Sequence, residues 1–443
     1  GYLVRLTLIL SMVLLAMLFG SAVVTASESL ERRTSWQAKF EATEANRPGK
    51  VVKSLDANSP LGLAGVAAGD RLISVDGILI SSQTTWNDLT DALVAGHAYQ
   101  MLFKRGQSEF SSSVSFNGLA KETHRNIDTI YDHIVSDYGI RQRVIVTVPK
   151  NKKSKQAAVV VLQGLSCSSI EQIPGRKSAF VRLLTALVEK SDRVVMRVEK
   201  PGMGDSEGNC SETGFITELN GYESAVRWLL DQDYVDKDQV IVYGNSMGSA
   251  LAPYIANKFN LAGVVSDGTY VRSWFEHMLE IERRILAFKG FSQADISKKM
   301  NQEYIPLYYG MLIKKQSYQE VIDDYPALAD ANYHGAEHMY GRPMAFYHQL
   351  QDFDVAGEWQ KLKVPARVRW GMNDWIMSEA DNDMVIDILK QAGHKDHKLY
   401  KHPGLDHWQA IHESPANSFN GVRGEWDDAI SEVILGWFDE LLD

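Results

Sequence analysis

The sequence predicts an α/β protein: a mostly parallel sheet with helices on both faces and a helical insert, preceded by a smaller β/α domain. Three observations carry that prediction. The chain has 443 residues, more than one ordinary domain holds. With 45% hydrophobic and 23% charged residues it has the composition of a protein with large buried cores. From about residue 120 onward, β-branched runs alternate with amphipathic stretches, as expected of strands joined by crossover helices.

The chain starts GYLVRLTLILSMVLLAMLFGSAVVTASES. Arg5 precedes an apolar run from Leu6 to Phe19, and Val24-Thr25-Ala26 offers a cleavage site, so residues 1–26 are expected to be a signal peptide. The alternative is an uncleaved anchor, because Tyr2 to Val24 is long enough to span a bilayer. Both readings place the body of the protein outside the cytoplasm, in the periplasm or secreted. There the two cysteines, Cys167 and Cys210, suit a single disulfide, with two separate buried thiols as the alternative. Neither sits in a C-x-x-C pair or beside a histidine at ligand spacing, so no metal site is expected. A net charge of −10 without a basic stripe excludes a nucleic-acid binder.

Residues 35–115 carry a short strand at Val51-Val52, a turn at Asn58-Ser59-Pro60, and a small-residue segment ending at Gly69-Asp70. The strand RLISVDG then ends in an Asp-Gly turn, followed by a helix over Asn87 to Val94 and a strand AYQMLFKRG. The succession Ser59-Pro60, Ala64-Gly65, Gly69-Asp70 resembles a PDZ domain of the bacterial protease-associated kind. Such domains add a peptide chain end to a sheet edge, which implies a peptide or protein ligand. Upstream, SWQAKFEATEANRPG lacks the apolar-Gly-apolar loop that holds the carboxylate, so a structural or docking role stands beside peptide binding.

Residues 120–443 read as strands at IDTIYDHIV, RQRVIVTVP, AAVVVLQG, DRVVMRVEK, DQVIVYG, AGVVSD, PARVRWG and HKLYKH. Helices are expected at SAFVRLLTALVEK, ESAVRWLLDQ and DMVIDILKQAG. The stretch of about 271–360, rich in Met, Tyr, Phe and Trp, is too long for one crossover and reads as a helical lid over the carboxyl edge of the sheet.

The strand DQVIVYG runs directly into Gly244-Asn245-Ser246-Met247-Gly248, and an amphipathic stretch follows. Strand, G-x-S-x-G and helix together make a nucleophile elbow, in which Gly244 and Gly248 permit the tight turn and lift Ser246 above the sheet. Pro253 is expected to remove a hydrogen bond from the helix and kink it. A serine hydroxyl needs a base, and the base needs an acid. Asp374 follows the strand PARVRWG, and His407 follows HKLYKH, both at carboxyl ends of strands where open α/β sheets bind ligands. His402 is the nearest competing histidine, and Asp267 the competing acid from the preceding strand. Asp381 and Asp383 suit a helix N-terminus, and Asp406 a solvated loop. The intermediate needs two backbone donors. The Met247 amide is one; the other comes from the loop after VVVLQG, at Leu165 or, failing that, Ser166. Gln163 either buttresses that loop or is solvated.

On these motifs residues 120–443 resemble an α/β-hydrolase superfamily serine hydrolase. EKPGMGDSEG resembles that family's loop after the fourth strand, with Pro201-Gly202, Gly204 and Asp205-Ser206 as turn formers. The resemblance places Cys210 beyond that loop and Cys167 beyond the oxyanion loop, both at the border of the site, which suits a bridge between them. With the leader it implies an exported carboxylic-ester hydrolase with a Ser246–His407–Asp374 triad, and the lack of a phosphate loop, dinucleotide fingerprint or H-E-x-x-H motif implies no cofactor. A serine peptidase on the same fold is the alternative, with the PDZ-like domain recruiting peptide and a clamp at Glu276, Glu280 or Glu282 holding an amine. At helical spacing those glutamates also read as a solvated face. A non-catalytic binding or scaffold protein is the third reading.

Overall fold

The computed structural model describes residues 29–150, 154–173 and 175–443, so the expected leader lies outside the described residues. The first sheet comprises β1 (Ala38–Phe40), β2 (Lys50–Leu55), β3 (Arg71–Val75), β4 (Ile78–Leu79), β5 (Ala98–Arg105) and β6 (Ser108–Ser115). Its order is β1-β2-β3-β5-β6, with β4 hairpinned onto β3. The Asp76-Gly77 turn closes that hairpin with φ of 49° and 80°, the left-handed pair that a two-residue connection requires. Ser59 caps the short helix α1 (Pro60–Leu63), accepting from the Gly62 amide at 3.2 Å. Helix α2 spans Gln83–Ala92 and is capped by Ser82, so it begins four residues before the expected Asn87 and ends before Val94. The serine-rich β6 and the short β1 had no sequence signal; β6 buries only Val114 fully and is carried by pairing along the whole of β5.

This module enters and leaves side by side. The Leu119 amide donates to Arg33 O and Arg32 Nε to Leu119 O, both at 2.9 Å. The same arginines grip the body: Arg32 Nη1 reaches Asp205 Oδ1 at 3.0 Å, and Arg33 Nη2 reaches Glu171 Oε1 at 2.7 Å.

The second sheet has eight strands: β7 (Ile127–Val135), β8 (Arg141–Pro149), β9 (Gln156–Leu162), β10 (Val194–Val198), β11 (Val235–Asn245), β12 (Gly263–Asp267) and, past the insert, two more that complete it. The insert carries a small hairpin, β13 (His338–Met339) with β14 (Arg342–Pro343), and the sheet closes with β15 (Ala366–Gly371) and β16 (His397–His402). The order is β16-β15-β12-β11-β9-β10-β8-β7. Strands from β9 onward run parallel, and β8 joins β10 antiparallel. All eight strands expected from the sequence are present within a few residues.

Period-two alternation splits the core. Val160, Leu162, Val242 and Val264 pack under α4 (Phe215–Leu230) and α5 (Met247–Phe259), while Val159, Val161, Ile241 and Val265 pack under α3 (Ala179–Lys190) and the C-terminal helix Ala429–Leu441. Strands covered on both faces take near-continuous Val and Ile, which is what β9 and β11 carry. Each such side chain contributes about 1.5–3 kcal/mol by leaving water. Helix α4 begins at Phe215, eight residues ahead of the expected ESAVRWLLDQ. Helix α5 continues through Pro253 to Phe259. Between β12 and β15 the chain forms α6 (Trp274–Phe288), further short helices and the β13–β14 hairpin, then helices Met344–Gln351 and Val355–Lys361.

Candidate active site

Strand β11 ends at Asn245 and α5 begins at Met247, leaving Ser246 alone in the turn at φ 54°, ψ −120°. That conformation is strained for a residue with a side chain and persists only where its surroundings enforce it. Enforcement comes from packing: a methyl on Gly244 would overlap the Gly248 carbonyl, and one on Gly248 would overlap the Leu162 carbonyl. The Ser246 amide donates to Asp267 O at 2.9 Å, tying the turn to β12.

Oγ of Ser246 lies 2.8 Å from Nε2 of His407, and Nδ1 of His407 lies 2.9 Å from Oδ2 of Asp374. The loops after β15 and β16 thus bring the two expected partners to the serine. The other oxygen of Asp374 accepts from the Ile376 and Met377 amides, both at 2.8 Å, which fixes the carboxylate. Burial alone would lower the His407 pKa; the charge and hydrogen bond of Asp374 outweigh it, and the imidazole sits above its ordinary value.

The competitors are engaged elsewhere. Asp267 is bound in a fork by Arg369 at 2.9 and 2.8 Å and accepts from Tyr243 Oη at 2.6 Å. His402 is buried beside Arg369, and desolvation followed by that positive charge pushes it down to about 4. Asp381 lies in the first turn of helix Glu379–Gln391, where Arg272 binds it. Asp406, expected to be solvated, is buried. It accepts from the Trp408 and Ala410 amides and from Ser418 Oγ, so it shapes the His407 loop from inside. Glu282, expected on a solvated face, is also fully buried and accepts from Tyr308 and Tyr333 hydroxyls. In each case the charge is visible in the sequence, while the partners that make its burial tolerable come from other elements.

Neither the Leu165 nor the Met247 amide has a hydrogen-bond acceptor among the described residues, and both residues line the cavity beside Ser246. The reason lies behind the loop. Lys200 Nζ donates to Gly164 O and, at 2.8 Å, to Ser166 O, while Arg342 donates to Leu165 O at 2.9 and 2.7 Å. Three successive carbonyls are therefore drawn to one side. In a trans peptide the N–H points opposite to the C=O of the same unit, so holding Gly164 O turns the Leu165 N–H the other way. Lys200 and Arg342 are both essentially buried, and Arg342 also approaches Glu218 at 2.7 Å. Burial, offset by Glu218 and reinforced by Arg342, pushes the Lys200 ammonium down to about 7. Gln163 buttresses the same loop, its Nε2 donating to Ser168 O at 2.9 Å. Cys167 and Cys210 are joined in a disulfide, with Cα atoms 5.9 Å apart. Lys200 and Arg342 escaped the sequence reading: a buried lysine looks like any lysine before Pro-Gly, and Arg342 arrives from a hairpin far along the chain.

The cavity measures about 340 Å³ and is walled mainly by Phe180, Trp274, Ile281, Ile376, Met377 and Trp408. Among the described residues no group of three or more His, Cys, Asp or Glu is arranged to hold a metal, and no helix is long and apolar enough to cross a membrane.

Esterase EstD of Thermotoga maritima is 21% identical over 293 residues, covering 66% of this chain; the chain spans 64% of that relative's length. Among solved structures, the esterase Pf2001 of Pyrococcus furiosus is 13% identical and aligns over 73% of this chain and 96% of its own, with a TM-score of 0.46. A proline iminopeptidase of Mycobacterium smegmatis is 15% identical over 70% of this chain and 98% of its own, with a TM-score of 0.42. The model of the alpha/beta hydrolase family matches residues 159–419, from the start of the parallel strands to beyond His407, and the chain belongs to that family.

Proposed function

We propose that the protein is a serine hydrolase that cleaves carboxylic esters through an acyl-enzyme on Ser246. The observation that carries this reading is the unbroken chain Ser246–His407–Asp374, at 2.8 and 2.9 Å, facing two unpaired backbone amides. In the proposed reaction His407 takes the Ser246 proton as Oγ attacks the ester carbonyl, and Asp374 stabilises the imidazolium. The Leu165 and Met247 amides receive the oxyanion, His407 returns the proton to the departing alcohol, and water then releases the acid by the same steps.

The ester reading is preferred because none of Glu276, Glu280 and Glu282 lines the cavity. Glu280 is paired with Arg272, and Glu282 with two tyrosines, so among the described residues no carboxylate lines the cavity to meet a peptide amine. Export is part of the proposal, supported by the disulfide, which suits an oxidising compartment. The residues between β12 and β15 are proposed to act as the lid, and the N-terminal module as a PDZ-like docking unit. The outer edge of β1, which pairs with no strand among the described residues, supports that role for the module.

The test is labelling with a fluorophosphonate, followed by comparison of simple esters with peptide amides. Ser246→Ala is expected to lose labelling and turnover while folding normally. Full turnover in that variant would remove the assignment, and a preference for amides would move it to peptidase.

A further inference from the structure

One polar side chain in the cavity has no part in the mechanism above. His277 lies on α6 between Trp274 and Ile281, one turn from each, and all three line the cavity. It is only 3% exposed, and neither ring nitrogen has a hydrogen-bond partner among the described residues. Its ring lies nearly flat against Tyr270, centroids 4.8 Å apart at 22°, and Trp274 packs on it at 5.0 Å. Packing therefore fixes the ring, so the unpaired nitrogens are held rather than free to turn away.

The charge state follows from the surroundings. Burial, then the positive charges of Arg284, His407 and Arg272, hold the imidazole well below its ordinary value, and it is neutral. The two arginines are not free to receive an anion. Arg284 donates to the Trp375 and Ile376 carbonyls at 2.6 and 2.7 Å, and Arg272 is bound to Asp381 and Glu280. A neutral imidazole presents one N–H donor and one lone pair. A hydroxyl is the neutral group that matches either nitrogen, and the surrounding walls are apolar.

We propose that His277 is a specificity-determining residue that receives a hydroxyl on an otherwise apolar alkyl or aryl chain of the ester. The enzyme thereby favours hydroxylated esters over their unsubstituted analogues, because only the former pair a buried group otherwise left unmatched. This rests on the ester-hydrolase reading of Ser246.

The test compares kcat/KM within ester pairs that differ by one hydroxyl. Methyl 3-(4-hydroxyphenyl)propanoate against methyl 3-phenylpropanoate probes the acyl side; 2-(4-hydroxyphenyl)ethyl acetate against 2-phenylethyl acetate probes the alcohol side. In at least one pair the wild type is expected to favour the hydroxylated ester by about tenfold or more. His277→Leu is expected to bring that ratio near one, and His277→Gln, which keeps a donor and an acceptor, to restore part of it. A wild-type ratio near one in every pair, or an unchanged ratio in His277→Leu, overturns the proposal. Calorimetric binding of 3-(4-hydroxyphenyl)propanamide against 3-phenylpropanamide reads the same preference without turnover. Equal affinities there overturn the role of His277, whereas a preference without ester turnover or fluorophosphonate labelling overturns the ester reading alone.

Discussion

The outer edge of β1 in the N-terminal module and the carboxyl edge of the eight-stranded sheet both turn backbone groups outward, but they are backed by different chemistry. Beside β1, Trp36 stacks on Trp86 with centroids 4.9 Å apart at 9°, Phe40 lies 4.7 Å from Trp86, and Trp36 Nε1 donates to Thr90 on α2. At the carboxyl edge, Lys200 and Arg342 hold three successive carbonyls, and the Arg369–Asp267 pair sits beneath the elbow. An aromatic stack stabilises the module it belongs to. Buried cations carry a desolvation cost, and here they are spent on backbone orientation. The first backs its edge with apolar packing, while the second backs its edge with charge and leaves two amides unpaired.

That contrast can be broken from either side. The largest effect is expected at Asp374→Asn, which keeps the shape of the site but removes the charge behind His407. By analogy with the triad acid of serine proteases, kcat should fall roughly 10⁴-fold, measured on any ester the wild type accepts. Trp36→Ala acts on the other region and is expected to cost the module about 3–5 kcal/mol in denaturant unfolding, as large aromatic truncations do. Its kcat should stay within twofold of wild type; a parallel collapse of kcat would mean that the two regions are one cooperative unit. Lys200→Met should lower kcat roughly 10²-fold with KM little changed, the scale for losing one oxyanion donor. An equal effect on KM alone would assign Lys200 to ground-state binding. The smallest effect concerns pH. In the proposed mechanism His407 acts only when neutral, and its pKa is raised, so kcat/KM should climb through an ionisation above the ordinary imidazole value of about 6.5. In Asp374→Asn, burial is opposed only by the smaller effects of Asp406 and Asp267, and the midpoint of the residual activity should move to lower pH.

The same contrast explains what was legible in the sequence. Ser246, Asp374 and His407 could be read because a parallel sheet puts the ends of successive strands on one edge, so position along the chain stands in for position in space. Glu282 and Asp406 look solvated in the sequence because their burial depends on tyrosines, amides and a serine supplied by other residues. Lys200 and Arg342 were silent for that reason too: the carbonyls they hold lie 36 and 177 positions away in the chain. Helix α4 started early because Asn220 and Gly221, weak helix formers, pack against Asp137 and Gln142 from the β7–β8 hairpin. Strand β6 was missed because its serines show no alternation, and only the long register with β5 makes it a strand.

The paired entry and exit of the N-terminal module gives the chain the plan of an insertion. Arg33 and Leu119 are hydrogen-bonded across the neck, and Arg32, just before the module, is anchored to the hydrolase body at Asp205 and Glu171. Leu30, whose carbonyl accepts from Arg143 Nη2 at 3.0 Å, therefore lies against the hydrolase body rather than at the far end of the module. In genetic terms the module has the layout of a cassette: its two ends meet at Arg33 and Leu119, and the Arg32 anchor lies outside it.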